Sequence, residues 1–289
     1  MRYEGRVFRP PSEARSLIIQ AAVGCSYNKC NFCDMYKEKS FHLPPLEQVM
    51  ENLALGRRCC RQAEKIFIAD GDGLIRKTTD WQVLLEAIAR LFPECRSVNV
   101  YGSPRSILLK SPQELILLKS LGLDLVYLGL ESGNDEVLTL MNKGATAEQI
   151  VTAGRRVKEA GLRLSVTAIS GLGGQKLWRE HARDTGAALS RMKPDYIGLL
   201  TLLPEGDTPL CRWIAEGSFQ LLTPRQILEE TLFLLENLDA EGALFRANHA
   251  SNYLRLGGTL NRDKEMLRQR IQKGLSGEVR LLDEEFRGF

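Results

Sequence analysis

The chain of 289 residues has no apolar run near the ~20 residues that a membrane-spanning helix needs. Its opening stretch, MRYEGRVFRPPSEARS, lacks the apolar core of a secretory signal. No low-complexity tract, internal repeat or obvious linker is present. Neither sign of charge dominates: 39 Lys and Arg against 36 Asp and Glu leave +3, too little to argue for nucleic acid by itself. Histidine is scarce, with three in all. These absences point to a cytoplasmic protein without a membrane partner. Seven cysteines, an odd number with no export signal, argue for reduced thiols or metal over disulfides. The remaining composition, 44% hydrophobic and 26% charged, is that of a globular chain able to bury a core without covalent staples.

What recurs along the chain is strand, loop, helix. Apolar, β-rich runs occupy 17–23, 65–69, 97–101, 124–130, 162–169 and 195–203. Several are continuously apolar, as strands covered on both faces should be. Ser or Thr stands three residues before Gln or Glu in TDWQ (79–82), SPQE (111–114), TAEQ (146–149) and TPRQ (223–226). Each reads as a capping box opening a helix. Gly122 and Gly161 follow two helices, where a left-handed cap suits glycine. Alternating strands and helices imply a parallel sheet with right-handed crossovers. Six units allow an open partial barrel or a doubly wound sheet, with the chemistry at the carboxyl ends of the strands.

The loop after the first run reads GCSYNKCNFCDMY and holds Cys25, Cys30 and Cys33. Structural zinc normally takes four ligands, and only Cys59 or Cys60, within an expected helix over 44–62, could complete that set. A cubane iron–sulfur cluster held by three thiolates explains the count better, because one iron stays open to a cofactor or substrate. Cys59, Cys60, Cys95 and Cys211 form no other close triad, so no second cluster is expected. His42 and His181 read as surface residues.

On these residues the chain resembles the radical S-adenosylmethionine superfamily, in a core-only branch similar to coproporphyrinogen dehydrogenase. The usual spacing there is C-x3-C-x2-C with an aromatic before the last cysteine. This chain has the aromatic, Phe32, and one additional residue between Cys25 and Cys30. ADGDG after the second run is similar to the family's Gly-Gly-Glu-like turn, placing Asp70, Gly71 and Asp72 beside the methionine amino group. In YLGLESGNDEVLTLMNKGAT, Glu131 matches the residue near the ribose, and Lys143, twelve positions later, the one pairing with the cofactor carboxylate. Lys where Arg is more usual gives a point charge in place of a fork. ISGLGG resembles the turn after the fifth strand, where Ile169 would pack on adenine. YGSPRS ends the third run, so Ser103 and Arg105 should face the mouth as candidate cofactor contacts, with Arg105 binding a cofactor or substrate anion; an ordinary loop salt bridge is the alternative reading of Arg105.

The resemblance implies an α/β fold, a partial (β/α)6 TIM-like barrel with a short C-terminal extension. Its expected divisions are an N-terminal arm over 1–16, a core over 17–205, and 206–289 as a helix, a possible seventh strand and a closing tail. It implies a 4Fe–4S cluster on Cys25, Cys30 and Cys33. It also implies cleavage of S-adenosylmethionine to methionine and a 5′-deoxyadenosyl radical that takes hydrogen from a small molecule. Reduced flavodoxin or ferredoxin would supply the electron. No cobalamin-binding module is expected. Two other readings stay open: an RNA-modifying member, given Arg2, Arg6, Arg9 and Arg15, and a zinc-stabilised binding protein without turnover. In ALFRANHASNYL (243–254), a seventh parallel strand would deliver Asn248, His249, Ser251 and Asn252 to the mouth, with His249 and Asn252 as candidate substrate contacts. A surface turn is the plain alternative.

Overall fold

The structure, a computed structural model, describes residues 2–288. Strands and helices alternate from β1 (Leu17–Gln20) through α1 (Leu46–Cys59), β2 (Lys65–Ala69), α2 (Thr78–Leu91), β3 (Ser97–Tyr101), α3 (Pro104–Leu108) and α4 (Pro112–Ser120) to β4 (Leu123–Glu131). They continue as α5 (Asp135–Leu140), α6 (Ala147–Glu159), β5 (Arg163–Ser170), α7 (Gly174–Met192), β6 (Tyr196–Thr201), α8 (Pro209–Ala215) and α9 (Pro224–Glu236). The chain closes on β7 (Leu244–Ala247), β8 (Leu256–Thr259) and α10 (Lys264–Ser276). The hydrogen-bonded strand order follows the sequence, β1 to β8. The expected α/β class is what the chain adopts, with two strands beyond the six.

The chain divides into two compact units. The first takes in the chain up to Asn28, Met35–Leu128 and Arg156–Leu164; the second takes in Lys29–Asp34, Gly129–Arg155 and Ser165 onward. In the first, β1, β2 and β3 pair in parallel, with Leu17 opposite Ile66 and Lys65 opposite Ser97. Their side chains are buried on both faces. Ile19, Ile66, Phe67, Ile68 and Val100 are wholly covered, as are Leu53 of α1 and Trp81 of α2. This accounts for the unbroken apolar runs. The first strand stops at Gln20, short of the expected 23: the amides of Ala21 and Ala22 both turn to the carbonyl of Ala69, and Val23 bridges to His42.

In the second unit β5, β6 and β7 are parallel, so the expected seventh strand is present; β8 returns antiparallel, with Arg246 opposite Gly257. Val137, Met141, Leu172, Leu202, Leu210 and Phe219 form a buried cluster here, and Phe32 and Ile169 pack against it.

Three of the four expected capping boxes form, at Ser111–Glu114, Thr146–Gln149 and Thr223–Gln226. TDWQ does not: α2 starts two residues earlier than a Thr79 cap would set it, after Lys77, and the Thr78 hydroxyl donates to Glu114 at 2.5 Å. Gly122 and Gly161 have φ of 109° and 76°, the left-handed caps expected of them.

Candidate active site

In the first unit the β1 loop is organised around Asp70, at the end of β2. Its Oδ2 accepts from Gln20 Nε2 at 2.9 Å, from the Gly24 amide at 3.0 Å and from Lys39 Nζ at 2.8 Å. Both members of the Lys39–Asp70 ion pair are buried. A buried pair hydrogen-bonded in this way resists loss of either partner, because the survivor would be a lone charge away from water. The carboxylate thus ties the strand end to the residue before Cys25. Asp72 is equally buried; Ser26 and Ser103 donate hydroxyl bonds to it, and the Ser103 amide adds a third at 3.0 Å.

The side chains of Asp70 and Asp72 therefore brace the cysteine loop and the start of α3, and do not face outward. Ser103 is engaged likewise: besides binding Asp72 it caps α3 through the Ser106 amide. Arg105 sits exposed on α3. Gly71 lies between the two carboxylates. A Cβ there would stand 2.7 Å from the Tyr36 ring and 3.3 Å from Cys25 Cβ, so the turn and the first cysteine are packed as closely as glycine allows.

In the second unit the segment with Cys30 and Cys33 is pinned by its backbone. The Asn31 amide donates to Met141 O at 2.9 Å, its side chain donates to Leu140 O, and its carbonyl accepts from Leu210. Phe32 packs against the apolar cluster, and the flanking cysteines are half-buried. All seven cysteines are reduced thiols. Among the described residues no three His, Cys, Asp or Glu side chains converge on one metal ion. A cubane makes a different demand, with each thiolate on its own iron. Cys25, packed against Gly71 in the first unit, and Cys30 and Cys33, in the second, are each half-buried reduced thiols, the donor chemistry such a cluster takes.

Glu131 ends β4 at φ 61°, a left-handed conformation that an ordinary side chain adopts at a cost of about 1–3 kcal/mol and that recurs at functional sites. Its Oε1 accepts from Lys143 Nζ at 2.8 Å, with both side chains largely covered. Lys143 is fixed just beyond α5, where its amide bonds Leu138 O at 2.9 Å between the left-handed residues Asn142 and Gly144. The twelve-residue offset therefore brings these two residues into contact with each other. Gly129 makes room for them: a Cβ there would collide with the Glu131 carboxylate and stand 3.0 Å from Lys143 Nζ.

His181, expected at the surface, is buried in α7. Its Nε2 lies 3.0 Å from the Ile169 carbonyl and its Nδ1 2.8 Å from Ser132 Oγ. A carbonyl can only accept, so Nε2 carries the proton and Nδ1 accepts from Ser132. Desolvation pushes its pKa down to about 4, keeping it neutral. Thr185, one turn on, accepts from the Gly133 amide at 2.9 Å. Together they fasten the loop after Glu131 and, through Ile169, the end of β5. A polar helical segment offered no sign of this, since burial is decided by packing.

Beneath the next turn, Glu230 of α9 accepts from the Ser170 hydroxyl and, at 2.6 Å, from the Gly171 amide. It is wholly buried, and desolvation raises its carboxyl to about 8. Beyond β7, Asn252 is also buried: it donates to Leu199 O at 3.0 Å and accepts from Thr201 Oγ1 at 3.0 Å. It braces the carboxyl end of β6, with its side-chain amide bonded within the protein. His249 is half-buried, its Nδ1 3.0 Å from Ser251 Oγ, and burial lowers its pKa. Asn248 is exposed and Ser251 buried.

A parallel βα series carries its chemistry at the carboxyl ends of its strands, and the first of those loops here holds the thiols. A sequence model of the Radical SAM superfamily matches residues 19–185, and the chain belongs to that superfamily. It is an enzyme, and the cofactors of its family are a 4Fe–4S cluster and S-adenosylmethionine. It is 25% identical over 168 residues to the 4′-phospho-dehydrooxetanocin synthase of Priestia megaterium, covering 52% of this chain and 23% of the relative. It is 22% identical over 236 residues to the heme chaperone HemW of Bacillus subtilis, covering 79% and 61%. The chain thus spans less than two thirds of either relative. Among solved structures, coproporphyrinogen III oxidase (HemN) of Escherichia coli, a radical SAM enzyme, superposes with a TM-score of 0.56 at 18% identity, covering 76% of this chain and 52% of that one. That likeness is one of fold. Among the described residues no helix is long and apolar enough to cross a membrane.

Proposed function

We propose that the chain is a radical S-adenosylmethionine enzyme acting on a small molecule, with its cluster on Cys25, Cys30 and Cys33. The observation that carries this reading is the run of three reduced thiols directly after β1, inside the segment that matches the family. The bound cofactors would supply one electron to the sulfonium and, from its cleavage, a 5′-deoxyadenosyl radical able to take hydrogen from substrate. The protein contributes placement and exclusion of water.

In this reading the backbone carbonyls of the Asp70–Gly71 turn meet the cofactor's amino group, and Asp70 and Asp72 hold that turn rigid. Lys143 turns from Glu131 to the cofactor carboxylate, and Glu131 is released toward the ribose. Ile169 and Phe32 offer apolar surface to adenine and cluster. Exposed Arg105 and half-buried His249 are left for substrate; a neutral His249 suits a hydrogen-bonding role near neutral pH. Residues 17–205 form the core, 1–16 an arm and 206–289 a closing segment. Reduced flavodoxin or ferredoxin is the proposed electron donor, and the cytoplasm the proposed compartment.

Anaerobic reconstitution tests the assignment. The chain should take up roughly four iron and four sulfide and form 5′-deoxyadenosine from S-adenosylmethionine under reduction. Cys30→Ala should lose the iron, whereas Cys95→Ala should keep it. Iron retained by Cys30→Ala after desalting, or zinc in its place, would end the proposal.

A further inference from the structure

Where β7 turns back into β8 and on to α10, the surface is hollowed by about 470 Å³. This lies within the roughly 300–1,000 Å³ of small-molecule sites. Three guanidinium groups line the hollow, those of Arg246, Arg255 and Arg262, against one carboxylate, Asp263. Three positive charges and one negative leave a formal +2 there.

The carboxylate is already committed. Asp263 Oδ1 accepts from Arg262 Nε at 2.8 Å, and Oδ2 accepts from Arg262 Nη2 at 2.9 Å and from the Thr259 amide at 2.8 Å. Asp263 therefore neutralises Arg262 alone. Among the described residues neither Arg246 nor Arg255 makes an ion pair; Arg246 donates only to the carbonyl of its neighbour Phe245, at 2.9 Å. Like charges crowded into one hollow repel each other, and among the described residues no carboxylate pairs with these two.

The strand beneath them adds a donor. Leu260, just past β8, gives its amide to Ala243 on the β7 side, while the Thr259 amide turns the other way, to Asp263. Amides alternate along a strand, so Gly257, two residues before Thr259, presents its N–H to the same open edge. It has no side chain to screen that N–H, and the Arg246 guanidinium lies 3.5 Å from where a Cβ would be.

We propose that this hollow is an anion site that takes the phosphoryl group of a small organic molecule, held by Arg246, Arg255 and the Gly257 amide. Guanidinium forks match phosphate oxygens in pairs, and a glycine amide can approach them closely. Two uncommitted cations suit one phosphoryl group. A nucleic-acid strand of the kind that makes some 6–10 phosphate contacts needs a longer basic track. The site is independent of the cluster chemistry and can be tested without it.

The test is titration calorimetry of the whole chain with inorganic phosphate, ribose 5-phosphate, ribose and a single-stranded RNA oligonucleotide. Ribose 5-phosphate should saturate at one site and ribose should not bind. Arg246→Gln and Arg255→Gln should each weaken ribose 5-phosphate about tenfold or more, and both residues are exposed, so neither change should disturb folding. Arg255→Lys should recover part of the affinity but not its paired geometry. Absence of saturation by either phosphate compound in the millimolar range would overturn the proposal, as would equal binding to wild type and the double Gln variant. RNA binding that strengthens with strand length and vanishes in the same variants would replace it with a nucleic-acid surface.

Discussion

Glu230 offers a sharp test of how the β5 turn is held. It is a carboxyl group buried in α9, with a Ser170 hydroxyl and a Gly171 amide as donors and no cation among its bonds. Desolvation lifts its pKa to about 8 from an ordinary 4.5, so the folded chain holds a proton there that the unfolded chain has released. A folded pKa above the unfolded one gives stability that is complete below pH 4.5 and is lost as pH rises toward 8. The slope is about 1.4 kcal/mol per pH unit, so about 2 kcal/mol disappears between pH 6.5 and 8. His181 acts in the opposite sense. Its folded pKa of about 4 lies below the ordinary 6.5, so its contribution is complete above 6.5 and is lost as pH falls toward 4. Between pH 4.5 and 6.5 the two slopes oppose each other; above 6.5 Glu230 acts alone.

Glu230→Gln keeps the shape and the acceptor for Gly171 while removing the titration. Thermal melts of both proteins across pH 5 to 8.5, compared pair by pair, cancel every other ionisation. The variant's relative gain should grow by about 2 kcal/mol from pH 6.5 to 8. At about 2–4 °C per kcal/mol for a chain of this order of size, that is a widening of roughly 4–8 °C. A gap between wild type and variant that stays constant with pH would refute a proton on Glu230.

Other substitutions probe the site directly. Lys143→Ala should keep its iron and bind S-adenosylmethionine some ten- to a hundredfold more weakly by calorimetry, a charge-assisted contact being worth ~1.5–3 kcal/mol; unchanged affinity would remove Lys143 from the cofactor site. Gly71→Ala forces the Tyr36 ring or Cys25 to shift, so iron and sulfide per chain should fall after reconstitution while the apo fold melts within a few degrees of wild type. His181→Phe preserves bulk but strands the Ile169 carbonyl and the Ser132 hydroxyl. It should lower stability by roughly 2–5 kcal/mol at pH 7, read from the same melts, and weaken S-adenosylmethionine binding through the Glu131 loop.

The sequence by itself determined what rests on neighbours along the chain. Ser111 reaches Glu114 and Thr223 reaches Gln226 across a single helical turn, so their caps are written in three-residue spacings. The three-cysteine loop, the alternation of strand and helix, and the short parallel strand at Leu244–Ala247 were legible for the same reason. Only the tertiary structure decided which polar groups went inside. Asp70 meets Lys39 across 31 positions, Glu230 meets Ser170 across 60, and His181 meets Ser132 across 49. The expected cap at Thr79 did not form: α2 begins at Thr78, whose hydroxyl reaches Glu114, 36 residues away. Arg246 and Arg255 share a hollow only because β8 turns back beside β7. Burial shifts a proton affinity or orients a carboxylate through every element packed around the group, and no local spacing in the chain carries that information.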